Sequence, residues 1–185
     1  MPHNAPTSRR HFLRQTAVGS GLAGLSQFPL EAFAGEEKGP RLTLLHTNDV
    51  HSRLDPFPMD GSKNQGLGGV VAREQLIRQI RSEEEHVLLL DAGDIFQGTP
   101  YFNFYKGKPE MQVTSLLRYD AATIGNHDFD AGVEGLVQQM QYADFDFVNC
   151  NYEVSETPLA YHLKPYTILR RGKLRIGILG VGVEL

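Results

Sequence analysis

Three things are scarce in this sequence, and each shortage excludes something. There is one cysteine, Cys150, so no intramolecular disulfide can form and the fold does not depend on oxidation. Basic residues are not in excess: 18 Lys and Arg stand against 22 Asp and Glu, a formal net charge of −4 that offers no electrostatic footprint for a DNA or RNA backbone. No apolar run in the body of the chain reaches the length of about twenty residues that spans a bilayer, so no stable membrane association is expected of it. What remains is ordinary: 185 residues, 41% hydrophobic and 22% charged, enough for one compact domain with a sizeable core.

The first thirty-four residues differ from the rest. Ser8-Arg9-Arg10-His11-Phe12-Leu13-Arg14 is similar to the twin-arginine export signature, a weakly apolar stretch follows from Thr16 to Leu30, and Ala32-Phe33-Ala34 supplies a small-x-small cleavage site. Residues 1–34 are therefore expected to be an export signal, which directs the protein to the periplasm or beyond. Their removal takes away three Arg and one Glu and leaves 15 basic against 21 acidic residues, a net charge of −6. An anionic substrate would then need a local positive centre.

The mature part, 41–185, alternates two periodicities. Residues 41–47 form a short apolar, β-rich run that ends in Asn48-Asp49, as expected of a buried strand delivering polar residues into a loop. A Pro-, Gly- and Asp-rich loop follows, then helical periodicity over 69–85 through Val70, Leu76, Ile77 and Ile80. The pattern repeats with a strand at 87–90 ending in Asp91-Ala92-Gly93-Asp94, a Gly-, Pro- and aromatic-rich loop and a helix near 109–118. A third strand at 121–124 ends in Gly125-Asn126-His127-Asp128. A helix at 131–142, a strand at 145–150 and strands near 166–169 and 173–179 complete an α/β reading with a largely parallel or mixed sheet.

In open α/β sheets, ligands sit outside the carboxyl ends of the strands. Asp49 and His51, two residues apart, can reach one divalent ion from a single loop. Asp94, at the end of the second strand, has two oxygens and could bridge two ions. Asn126 offers a neutral amide oxygen, and His127 either a ligand or a proton. Oxygen and nitrogen donors without a nearby thiolate suit Zn²⁺, Mn²⁺ or Fe²⁺. Taken singly, Asp49, His51 or Asn126 reads more simply as a helix cap, turn residue or satisfied polar group. His46 reads as a packed histidine or one behind the ligands; His86 and His162 read as surface or loop residues. Arg170, Arg171, Lys173 and Arg175 read as a solvated turn, and Phe96, Tyr101, Phe102, Phe104 and Tyr105 as core or loop packing.

Together, Leu45-His46-Thr47-Asn48-Asp49-Val50-His51, Asp91-Ala92-Gly93-Asp94-Ile95-Phe96-Gln97-Gly98 and Gly125-Asn126-His127-Asp128-Phe129-Asp130 closely resemble the calcineurin-like metallophosphoesterase superfamily, in its bacterial 5′-nucleotidase and UDP-sugar hydrolase branch. The resemblance runs from Leu42 to about Gly182. It implies a sandwich of mixed sheets flanked by helices. It also implies two divalent metal ions, with Asp49 and His51 on the first, Asp94 bridging and Asn126 on the second. His127 would meet the scissile phosphate, oriented by Asp130, while Asp128 stands where many relatives have Glu. The substrate class implied is a nucleoside 5′-monophosphate or related nucleotide, hydrolysed by activated water. A relative acting on 2′,3′-cyclic nucleotides or UDP-sugars, or a non-catalytic exported binding module, is the alternative. The family's later histidine ligands are not in this sequence, so residues 41–185 are expected to be the N-terminal part of the catalytic domain, truncated after about half to two-thirds of it and inactive alone.

Overall fold

The computed structural model describes residues 39–184; the export segment expected at residues 1–34 lies outside them. Five strands lie in chain order in one sheet, every neighbouring pair parallel: β1 (Thr43–Thr47), β2 (Val87–Asp91), β3 (Ala121–Ala122), β4 (Asp146–Val148) and β5 (Leu163–Lys164). Parallel neighbours in sequence order require crossovers of one hand, and such crossovers place their helices on one face of the sheet. Those helices are α1 (Val70–Glu83), α2 (Pro100–Tyr105), α3 (Lys108–Leu116) and α4 (Gly132–Met140).

The register identifies the buried face. Leu45 pairs with Leu89, Asp91 with Ala122, Ala122 with Phe147 and Phe147 with Leu163, so these side chains share one side. Two apolar clusters form there. Ile77 of α1 packs with Leu89, Leu117 and Tyr119; Phe102, Met111, Leu136 and Met140 from α2, α3 and α4 pack with Ala122, Phe147, Ile95 and Phe96. Pro100 opens α2 at a position where its missing N–H costs nothing and its φ is already helical, which is why a stretch expected to be a loop contains a helical turn and a half.

On the second face a separate antiparallel hairpin, β6 (Tyr166–Arg171) and β7 (Leu174–Leu179), packs at the β4 side and leaves Leu44 and His46 of β1 exposed. Thr167 donates to Asp146 at 2.7 Å, and Arg171 donates from Nε to the Val87 carbonyl at 2.7 Å and pairs with Asp120. Arg171 is therefore a clamp between hairpin and sheet, not a solvated turn residue as expected. His46 lies exposed on the edge strand beside the exposed Leu44, so it is not the packed histidine that its place in a strand suggests; β1 has no neighbour on its outer side among the described residues. Cys150 is exposed. The aromatic run divides, with Phe96 and Phe102 in the core and Phe104 and Tyr105 on the surface.

Candidate metal centre

The carboxyl ends of β1, β2 and β3 lie side by side, so their loops meet. Main-chain bonds continue the β1–β2 pairing into those loops: Asp49 N–H to the Gly93 carbonyl at 3.0 Å, His51 N–H to Asp94 at 3.0 Å and Ser52 N–H to Ile95 at 2.8 Å. The chain achieves this by leaving ordinary strand geometry. Asp49, His51, Ser52 and Asp94 have φ of 52°, 48°, 54° and 57°, the left-handed region that non-glycine residues enter only at a cost of about 1 kcal/mol each. Such outliers persist where surrounding bonds over-determine them, and here they turn three side chains toward one point.

One ligand atom each from Asp49, His51 and Asp94 lies within 4.8 Å of the other two. His51 Nε2 is 3.7 Å from Asp49 Oδ1 and 4.0 Å from Asp94 Oδ2. Metal–ligand bonds of about 2.0–2.2 Å allow ligand atoms of one ion to sit up to about twice that apart, so both separations fit a shared ion. His51 Nδ1 is 3.2 Å from the Phe96 carbonyl; a proton on Nδ1 satisfies that carbonyl and leaves the Nε2 lone pair for a cation. The side chains grade from 57% exposed at Asp49 through 33% at His51 to 13% at Asp94, which makes Asp94 the floor of the cluster. No Lys or Arg among the described residues pairs with any of the three, and this charge and donor set fits a divalent ion that accepts oxygen and nitrogen.

The β3 loop packs against the same floor. His127 donates its backbone N–H to Asp94 Oδ1 at 2.9 Å, and its ring lies edge-on to that of His51 at 5.2 Å between centroids. Asn126 immediately precedes it and is exposed. His127 Nδ1 is 3.2 Å from Asp130 Oδ2; this hydrogen bond, helped by the charges of Asp130, Asp94 and Asp128, raises the imidazole pKa.

Two further carboxylates, Asp91 and Asp128, lie in the strand-end motifs, but nothing in the sequence assigned them a place in the site. Asp91 is buried at the end of β2, accepts from Thr47 Oγ1 at 2.6 Å and from the Gly93 N–H at 2.9 Å, and burial pushes its pKa up to about 6. Asp128, 2% exposed, accepts backbone N–H groups from Asp94, Phe96 and Gly125, while burial again pushes its pKa up to about 6. Each sits inside a motif, in Asp91-Ala92-Gly93-Asp94 and Gly125-Asn126-His127-Asp128, where an acidic residue beside a ligand was the available signal. Glycine is required where these loops cross: a Cβ on Gly125 would collide with the Asp94 carboxylate and amide.

A groove of about 620 Å³ leads away from Asp49 and His51, lined by Arg53, Phe57, Ala72, Arg73 and Leu76. The Arg53 guanidinium lies 4.4 Å over the Phe57 ring.

Comparison with known proteins places the fold in a family. The human 5′-nucleotidase is 44% identical over 148 residues, 75% of this chain and 26% of that one. The crystal structure of a 5′-nucleotidase precursor from Thermus thermophilus superposes with a TM-score of 0.71 at 39% identity, over 76% of this chain and 28% of that one. The Haemophilus influenzae NAD nucleotidase gives a TM-score of 0.69 at 31% identity, over 76% and 26% of the two chains. The chain thus spans about a quarter of the length of the curated relatives it matches. The family of calcineurin-like phosphoesterases matches residues 42–177, a stretch that contains the whole parallel sheet and the loops after β1, β2 and β3, and the chain belongs to that family.

Proposed function

We propose that the complete protein is a two-metal phosphohydrolase acting on nucleoside 5′-monophosphates or related nucleotides. The observation that carries this reading is the convergence of Asp49, His51 and Asp94 within 4.8 Å beside His127. Asp49 and His51 would hold one ion, Asp94 would be shared, and Asn126 would hold the other. Bound there, the cations supply Lewis-acid charge for phosphate oxygens and lower the pKa of the attacking water. They also reconcile an acidic protein with an anionic substrate.

The chain's own residues do the rest. Asp130 holds His127 through Nδ1, leaving Nε2 to stabilise charge on the phosphoryl group and to give a proton to the departing ribose oxygen. The raised pKa keeps more of the imidazole protonated at neutral pH, the form an acid catalyst needs. Phe57 and Arg53, next to the cluster, offer a face and a cation to the rest of a nucleotide. That the curated relatives are 5′-nucleotidases supports the substrate class.

Export through residues 1–34 belongs to the same reading, and so does inactivity, or near-inactivity, of the 185-residue chain by itself. Four protein ligands among the described residues are few for two ions. The test is hydrolysis of AMP, UDP-glucose and 2′,3′-cyclic AMP by the complete protein with Mn²⁺ or Zn²⁺, before and after chelation. Metal-dependent release of phosphate from AMP is expected; turnover that survives full chelation would refute the mechanism, and preference for another ester would replace the substrate. Robust AMP hydrolysis by residues 35–185 alone would overturn the inactivity of the fragment.

A further inference from the structure

We propose that Asp128 is a positioning residue that locks the two halves of the metal centre together, setting how far the β3 loop stands from the β2 loop. This inference rests on the two-metal reading and concerns a residue that touches neither substrate nor ion.

The argument is one of hydrogen-bond accounting. Asp128 Oδ2 accepts the N–H of Asp94 at 3.0 Å and that of Gly125 at 2.9 Å, and Oδ1 accepts the N–H of Phe96 at 3.0 Å. One buried carboxylate thus ties two residues of the β2 loop to one of its own loop. The lock is reciprocal, because Asp94 Oδ1 accepts the N–H of His127 at 2.9 Å. Each loop therefore contributes a carboxylate that accepts from the other loop's backbone. Nothing else among the described residues binds these three amides, and buried amides left without an acceptor are costly.

The consequence for the site follows from chain connectivity. Asn126 and His127 sit between Gly125, whose amide is held, and Asp128, whose carboxylate holds it. Phe96, the third donor, also presents the carbonyl that orients His51 through Nδ1. Asp128 therefore bears on all three loops: on Asp94 through its amide, on His51 through Phe96, and on Asn126 and His127 through their neighbours. Sterics make the spacing sharp, since Gly93 and Gly125 approach so closely that a Cβ on either would strike the other loop's backbone. Only an acceptor-only group satisfies three donors. An amide in its place presents an NH₂ to at least one N–H, and the loops must separate to relieve that contact.

The test uses the complete protein with Asp128→Asn and Asp128→Glu. Mn²⁺ affinity is read by titration calorimetry, kcat and KM are read on AMP, and Tm is read without metal. Groups that orient metal ligands commonly change affinity by about 10–100-fold when altered. Asp128→Asn is expected to weaken Mn²⁺ binding by that factor and to lower kcat more than it raises KM. Asp128→Glu, which keeps an acceptor-only carboxylate, is expected to recover most of the affinity. Asn binding Mn²⁺ as tightly as the parent, or Glu falling as far as Asn, would overturn the proposal. Should Asp128→Asn fail to fold, amide exchange in the parent decides. The N–H groups of Asp94, Phe96 and Gly125 are expected to exchange together and to slow together with Mn²⁺, and independent exchange would overturn the lock. A parent that binds no Mn²⁺ at all would instead refute the two-metal reading.

Discussion

Acidic residues occur at both ends of the parallel sheet, and the two ends treat them differently. At the amino ends of the strands Asp120 pairs with Arg171 and accepts the Leu89 N–H at 2.9 Å, and at the same end Asp146 meets Lys164 at 2.7 Å and the Thr167 hydroxyl. Both of these carboxylates have a cation from the protein. At the carboxyl ends Asp49, Asp91, Asp94 and Asp128 lie close together, two of them buried, and among the described residues none has a Lys or Arg within salt-bridge distance. Backbone geometry differs in degree, with a single left-handed residue, Arg118, near Asp120 at the amino ends. Left-handed residues cluster at Asp49, His51, Ser52 and Asp94, whereas β6 and β7 form a regular antiparallel ladder. A neutralised end holds the fold; the end with uncompensated negative charge and strained turns is where the proposed cations would sit.

Removing a ligand should break the contrast most severely. Asp94→Asn in the complete protein is expected to lower kcat/KM on AMP by about a thousandfold, with Mn²⁺ binding lost in calorimetry, because the floor of the cluster supplies both charge and the His127 anchor. Unchanged Mn²⁺ binding would mean that the carboxyl ends are no different in kind from the amino ends.

A pH experiment without metal comes next. The folded pKa of Asp91 is about 6 against an ordinary 3.8, so between those values the folded chain binds more protons than the unfolded one. Stability from this group is full below about pH 4 and is lost as the pH rises through 6, an amount of up to roughly 3 kcal/mol. Asp128 acts in the same direction. In chelator, urea unfolding at pH 4 and pH 7 should show the parent losing stability and Asp91→Asn losing about half as much. Saturating Mn²⁺ should offset the loss by favouring the charged forms.

Asp130→Asn has a smaller effect that sharpens the role of the β3 loop. The hydrogen bond from Asp130 is the largest cause of the raised His127 pKa, so its loss lowers that pKa and the protonated form disappears at a lower pH. The alkaline limb of the kcat profile should move down in pH, with a loss of about tenfold at neutrality. A limb that stays in place would remove His127 as the proton donor. Smallest is Arg171→Met at the neutralised end: a loss of about 1 kcal/mol in urea unfolding, from the hairpin clamp, with Mn²⁺ affinity unchanged. A change in metal binding there would show that the two ends are coupled.

Much of this was legible from local patterns. Apolar runs followed by polar residues marked β1 and β2, and the spacing of Val70, Leu76, Ile77 and Ile80 marked α1. Asp49, His51 and Asp94 could be grouped because each follows a strand, and parallel strands bring such positions to one edge. Other features could not be read this way. The exposure of His46 depends on which face of β1 the folded chain leaves open: Leu44 and His46 share an uncovered face, whereas Leu45 on the other is half-buried. Arg171 reads as one charge among four in a turn until the hairpin is seen folded over Asp120. Asp128 looks like a polar neighbour of His127, because its three amide partners come from places as far as 34 residues away in sequence.

The sequence by itself determined which residues carry charge and where the chain turns: the acidic and histidine residues stand directly after strand-forming runs, and that placement is a local property of propensity and period. Tertiary structure alone decided which carboxylates are neutralised and which are not, since pairing depends on distances between segments far apart in the chain. Burial then converted that difference into raised pKa values at Asp91 and Asp128, an outcome of desolvation that no local pattern records.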